Sequence, residues 1–252
     1  MSDFTKLRLL ILLVHFLCGY GLYSIWDPAW LLLSLVCVFL FLWLGQELYC
    51  HRFLSHSSFD MPKVIQRFCA LLSVYNLFGN PIGIASTHVN HHKYSDTKLD
   101  PHPASYPIQS WLWIYPEFET SRNLSVVRRL VKDNWLSFIG RNYFKIYIAT
   151  VILMALIDVR IVVYGMFVPV VYAVFCDGII NVVCHIWGYR RYESNDESRN
   201  NLIGNALLLF SGIAMHNNHH AYPSDCNLSR AWYEIDLIGL IIRVVAIKKN
   251  HV

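Results

Sequence analysis

Apolar residues fall in long blocks along this chain, separated by short polar breaks. A helix needs about 20 mostly apolar residues to cross the hydrocarbon of a bilayer. Residues 7–25 form one such block, and residues 29–48 form a second after the break Trp26-Asp27-Pro28. Residues 143–157 and 161–184 form a third and a fourth, joined by Asp158-Val159-Arg160. The pattern predicts two helical hairpins, 7–48 and 142–186, each crossing and returning. Two further apolar stretches, 64–84 and 202–214, are interrupted or too short to span, and they read as helices lying in the interface or under a membrane-embedded domain. The expected fold is all-α and integral to a membrane, with four transmembrane helices in two hairpins. Residues 50–141 and 187–252 form a helical cap, and residues 1–252 make one domain.

Composition supports this reading. Hydrophobic residues make up 55% of the 252 positions and charged residues 15%, against about 25% charged in a soluble domain. So little charge excludes a disordered chain and argues against a water-soluble enzyme. A net charge of +4 with no basic, aromatic-interleaved patch argues against nucleic acid. Of the 21 Lys and Arg, only Arg8, Lys145 and Arg160 lie outside 1–6, 50–141 and 187–252, and Arg160 alone falls in a far-side turn. The positive-inside rule then places both termini and the cap in the cytoplasm. No small-residue cleavage site follows residues 7–25, so this block reads as a retained helix and not a signal peptide. The seven cysteines show no CxxC pairing and read as buried hydrophobes in a reducing compartment.

Histidine changes the picture. Nine of the twelve fall in four clusters on the inferred cytoplasmic side: His51 and His56 in HRFLSH, His88, His91 and His92 in HVNHH, His185 in NVVCH, and His216, His219 and His220 in HNNHH. In HxxHH the first ring meets the others at i+3 and i+4, so all three share a helical face. The two copies are expected to present two triads to one point. Glu47 stands one turn before His51, and Asn181 one turn before His185. Imidazole suits iron, zinc, copper and nickel. Nine rings exceed one ion's needs, and two metals with four or five nitrogens each would use them all. Zinc fits less well, since no cysteine is placed to help. A lone histidine is ordinarily a satisfied core or surface residue, and His15, His102 and His251 are read that way.

These motifs resemble the integral-membrane fatty acid desaturases, and most closely the acyl-CoA delta-9 (stearoyl-type) branch. HRFLSHSSF, HVNHHKYSDTKLDPH and HNNHHAYP look like the family's three histidine boxes, and NVVCHIWGYRRY looks like the segment with its isolated histidine. The similarity runs from about Leu31 to Leu240, in the family's order. It implies that His51, His56, His88, His91, His92, His185, His216, His219 and His220 ligate two irons, and that Asn181 holds a water on one of them. The implied reaction uses O2 and two external electrons to insert a cis double bond into a saturated acyl chain. Trp111, Trp113, Tyr115 and Phe118 are tunnel or cap candidates. Two departures stand out. The family's Gly-Glu-Gly-aromatic run is replaced by Gly212-Ile213-Ala214-Met215, and Trp111-Leu112 is not followed by basic residues. Acyl-CoA is the expected substrate, and these departures keep acyl-lipid and acyl-carrier protein open beside it. No HPGG haem motif occurs, so electrons are expected from a separate donor such as cytochrome b5 or ferredoxin. The membrane would be a bacterial inner membrane or the endoplasmic reticulum. Two other readings stand beside this one. The first is a lipid or hydrocarbon hydroxylase on the same scaffold. The second is a non-catalytic metal-binding or transport protein, which predicts ionisable residues inside the spans, and these spans carry almost none.

Overall fold

The computed structural model describes residues 2–112 and 122–247. Among them the structure is helical, with isolated backbone bridges and no strand. In chain order the helices are α1 (Asp3–Ser24), α2 (Pro28–Ser55), α3 (Lys63–Asn76), α4 (Pro81–Tyr94) and α5 (Pro107–Trp111). They continue as α6 (Leu124–Leu130), α7 (Asn134–Ile157), α8 (Val159–Ile186), α9 (Leu202–Leu207), α10 (His216–Ala221) and α11 (Leu237–Val245).

Four of these, α1, α2, α7 and α8, are long and apolar enough to cross a membrane. The 22 residues of α1 reach about 33 Å at ~1.5 Å per residue, enough for a hydrocarbon core of roughly 30 Å. Their outer faces are apolar and uncovered: Leu12, Phe16 and Tyr20 on α1, and Ile152, Leu156 and Ile157 on α7, are exposed. An exposed apolar surface of this size marks contact with lipid or another protein. The hairpins cross at Tyr164. Its hydroxyl accepts from the Asp27 N–H at 2.7 Å, and its carbonyl accepts from the Ser34 hydroxyl at 2.7 Å.

Hydropathy understates the helices. The second and third run beyond the 29–48 and 143–157 blocks, to Ser55 and from Asn134. Hydropathy marks the part of a helix that meets hydrocarbon, whereas caps fix where it starts. Asp133 accepts from the Leu136 N–H at 3.0 Å and starts α7 outside the apolar run. The 64–84 stretch divides into α3 and α4, which meet at 81°. Leu77 and Gly79 at the bend take φ of 56° and 110°. The 202–214 stretch is helical only through Leu207, because Leu209 and Phe210 turn left-handed at φ 52° and 60°.

From Phe39 to Ser55 the backbone of α2 is wound as a π-helix, and α8 repeats this over Val163–Phe167 and Ile179–Val183. Wide turns of this kind are rare and gather at functional sites. Here they carry His51 and Asn181. α2 packs against α3, α4 and α8, which closes the cap over the ends of the spans.

Candidate metal centre

The first histidine pair depends on the π winding. Five residues along an α-helix rotate a side chain about 140° away. With i→i+5 bonding, as in His56 N–H to His51 carbonyl at 3.3 Å, the fifth residue returns to nearly the same face. The rings of His51 and His56 therefore stand 5.1 Å apart, centre to centre.

Each HxxHH motif divides between two pockets. On α4, His88 and His92 share one, with Nε2 atoms 3.1 Å apart, while His91 turns to the other. On α10 the division is reversed. His216 and His220 pair at 3.1 Å in the second pocket, and His219 crosses to the first. The expectation of two triads aimed at one point is thus corrected. Residues i and i+4 lie nearly over one another, whereas i+3 leans to the other side of the shared face, and two facing helices make two mixed clusters. His51, His56, His88 and His219 bring one nitrogen each within 4.8 Å of one another. His92 joins them, 2.8 Å from His219. His91, His185, His216 and His220 form the second group within the same limit.

The spacing fits metal. Nε2 atoms stand 2.9 Å apart for His51–His219, 2.8 Å for His56–His88 and 3.0 Å for His185–His216. Two nitrogens each ~2.1 Å from one ion and at right angles to it lie ~3.0 Å apart. Carboxylates fix the tautomers. The Nδ1–H of His51 donates to Glu47 at 3.1 Å, His91 to Asp100 at 2.9 Å, His185 to Asp96 at 2.9 Å and His220 to Asp196 at 2.8 Å. Each bond leaves Nε2 with a bare lone pair aimed into a cluster, as metal-ligating imidazoles require. The His91 Nε2 is buried there without a hydrogen-bond partner.

Electrostatics agree. Burial, then the Arg52 charge, pushes His56 down to about 3. Burial and neighbouring imidazoles hold His216, His219 and His220 well below the usual histidine range. These shifts favour the neutral ring, the form that binds metal. His91 goes the other way: burial lowers it, but Asp100, with Asp96 and Asp196, raises it on balance.

Several partners were not legible as such. Asp100 is fully buried; its carboxylate also accepts from the backbone N–H of Asp96 at 2.7 Å and of His102 at 3.0 Å. Asp96 accepts from the Glu197 N–H at 2.8 Å, tying the loop after α4 to the loop that brings in Asp196. His102 is not an ordinary surface residue. It is buried and stacks on His91 with ring centres 4.2 Å apart, and burial beside His91 pushes it down to about 3. The trailing DPH of the second box was its sequence signal. His15 is ordinary, its Nδ1–H donating to the Ile11 carbonyl at 2.8 Å. Where the third box lacks its preceding glutamate, Glu234 lies buried behind α10 and accepts from the Asn218 amide at 3.0 Å. Asn181 donates to Asp177 at 2.8 Å and lines a small cavity with His88 and His102. Trp111 packs flat on α8, so close that a Cβ on Gly178 would sit 2.0 Å from its ring. Trp113, Tyr115, Phe118 and His251 lie outside the described residues.

Fold and site together define an integral-membrane helical protein with two histidine clusters built to hold metal. The model of the fatty acid desaturase family matches residues 28–250, and the chain belongs to that family of oxidoreductases. It is 31% identical over 245 residues to an acyl-CoA 5-desaturase of Anemone leveillei, covering 92% of this chain and 73% of the relative. A delta-9 acyl-lipid desaturase of Arabidopsis thaliana is 32% identical over 242 residues, covering 88% and 72%. An sn-1 stearoyl-lipid 9-desaturase of Anabaena variabilis is 32% identical over 209 residues, covering 81% and 76%.

Proposed function

We propose that residues 1–252 work as one O2-dependent di-iron desaturase domain that inserts a cis double bond, at the delta-9 position, into a saturated fatty acyl chain. His51, His56, His88, His92 and His219 would hold one iron, and His91, His185, His216 and His220 the other, with Asn181 holding a water beside them. The observation that carries this reading is the pair of buried clusters whose Nε2 spacings match ligands of one ion. Two of the relatives reported above are named as delta-9 or 9-desaturases.

The irons, when bound, supply the oxidising power to take hydrogen from an unactivated methylene, which no side chain has. The reaction takes two protons and two electrons from –CH2–CH2–. With two more electrons and two protons, one O2 becomes two waters. The added electrons come from a separate one-electron carrier such as cytochrome b5 or ferredoxin. Glu47, Asp96, Asp100 and Asp196 hold the Nδ1 protons, so the Nε2 lone pairs stay aligned. Phe78, Leu208 and Ile213 pack beside Asp177 and Glu47, leaving room for little water there. The distribution of Lys and Arg supports a cytoplasmic cap and cytoplasmic termini, in a bacterial inner membrane or the endoplasmic reticulum.

Expression in a host lacking its own delta-9 desaturase tests the proposal. New cis-monounsaturated acids, about two irons per purified chain and loss of product in His219→Ala are expected. Hydroxy acids would transfer the protein to the hydroxylase reading. An unchanged lipid profile with folded, iron-loaded protein would refute the acyl reading.

A further inference from the structure

Three cavities meet at one ring. The widest, about 400 Å3, is lined by Leu7, Asn80, Tyr143, Phe144 and Phe78 among others. A second, about 60 Å3, is lined by Thr87, His88, His102, Asn181 and Phe78. A third, about 10 Å3, is lined by Leu42, Glu47, Asp177, Leu208, Ile213 and Phe78 among others. The first two also share Ile84 and Thr87, and the last two share Asp177. Phe78 is common to all three.

The spaces have an order. Lys6, Arg122, Arg141 and Lys145 stand against Asp3 around the widest, which suits the anionic end of an acyl carrier. The middle one touches the first histidine cluster through His88, and the smallest, beside Asp177 and Glu47, has room for no more than about one water with the ring in place. A chain running from the cationic rim to the histidines meets the Phe78 ring on the way. The ring is buried and its backbone is held. Its N–H donates to the Asn76 carboxamide at 3.0 Å, and the next N–H donates to the Tyr143 hydroxyl at 3.1 Å. The flanking Leu77 and Gly79 both have positive φ, a costly conformation at leucine that these anchors maintain.

We propose that Phe78 is a specificity-determining gate, whose ring sets how far an acyl chain advances and hence which C–C bond faces the irons. This rests on the desaturase reading for its substrate. Phe78→Ala, Phe78→Leu and Phe78→Tyr are expressed beside the wild type, with saturated acids of increasing length supplied. Double-bond position and chain-length profile are read by mass spectrometry, with iron content measured on each protein. One methylene in an apolar site discriminates by about tenfold or more. The wild type and Phe78→Tyr are expected to give one dominant isomer. Phe78→Ala is expected to raise the neighbouring isomers about tenfold and shift preference to longer chains, with Phe78→Leu between. A purely structural role would lower total product and iron without moving the isomer ratio. If Phe78→Ala fails to load iron, Phe78→Leu decides. Iron-loaded, active Phe78→Ala or Phe78→Leu with the wild-type isomer ratio and length profile would overturn the gate. A folded wild type with no desaturated product would remove the desaturase reading and the gate together.

Discussion

Arg52, next to His51, offers a sharp test of how the site is held. Its side chain is 1% exposed and that of Asp236 is 0%. The pair is bidentate: Nη1 to Oδ2 at 2.8 Å and Nη2 to Oδ1 at 2.9 Å. The guanidinium also donates to the Cys226 carbonyl at 2.8 Å and the Ser211 carbonyl at 3.0 Å, so one side chain joins α2, the loop after α9 and the loop before α11. Arg52→Met keeps the apolar bulk but leaves Asp236 charged and buried. Two backbone N–H donors remain to it, from Leu228 at 2.7 Å and Gly239 at 2.8 Å. Removing one member of a buried pair costs about 3–5 kcal/mol, a factor of roughly 10² to 5 × 10³ in the folded population. The residual donors argue for the lower half of that range, and the two stranded carbonyls argue against anything smaller. Denaturation in detergent measures it, with iron content as a second readout because the π turn carrying His51 loses its anchor. Pairing Arg52→Met with Asp236→Leu should recover part of the loss, since the uncompensated charge is gone. A single variant within about 1 kcal/mol of wild type, or a double variant worse than the sum of the singles, would refute this account.

Three other outcomes are expected. Asp100→Asn removes the anion that holds the His91 Nδ1 proton, and iron affinity should fall about 10- to 100-fold with the fold intact, as read by metal titration. Gly178→Ala drives a methyl into Trp111 and should cost about 1–3 kcal/mol by thermal melting; Trp111→Ala in the same chain should relieve the clash. Glu234 is held below its ordinary range: burial opposes this, but bonds from Tyr189 and Arg191 outweigh it. A carboxylate depressed on folding contributes stability that is complete above its unfolded pKa and is lost as pH falls through its folded pKa. Acid melts should therefore show a stability loss below about pH 4 that Glu234→Gln lacks, and identical acid profiles would count against it.

Much of the architecture was legible. The four spans follow from hydropathy, because hydrocarbon leaves a backbone little choice but helix. The nine histidines were found by spacing, as was Glu47 beneath His51. Asp96 and Asp100 were visible as the acids trailing the second box, Asp196 only as a loop acid, and Glu234 not at all, since the Asn218 amide it accepts from is 16 residues away in sequence.

Spacing along one helix is a local property, so the sequence alone determined which residues share a face and that imidazole chemistry gathers at one end of the spans. The division of that chemistry was decided by the tertiary structure. His91 leaves its helix mates for the second pocket, and His219 leaves its own for the first, because the partners that complete each cluster come from other helices. The pairing of His51 with His56 likewise required a π winding that HxxxxH does not itself impose. Ligand geometry is set at about 3 Å, between side chains up to 168 residues apart, as His51 and His219 are. Only packing the helices together fixes distances at that scale.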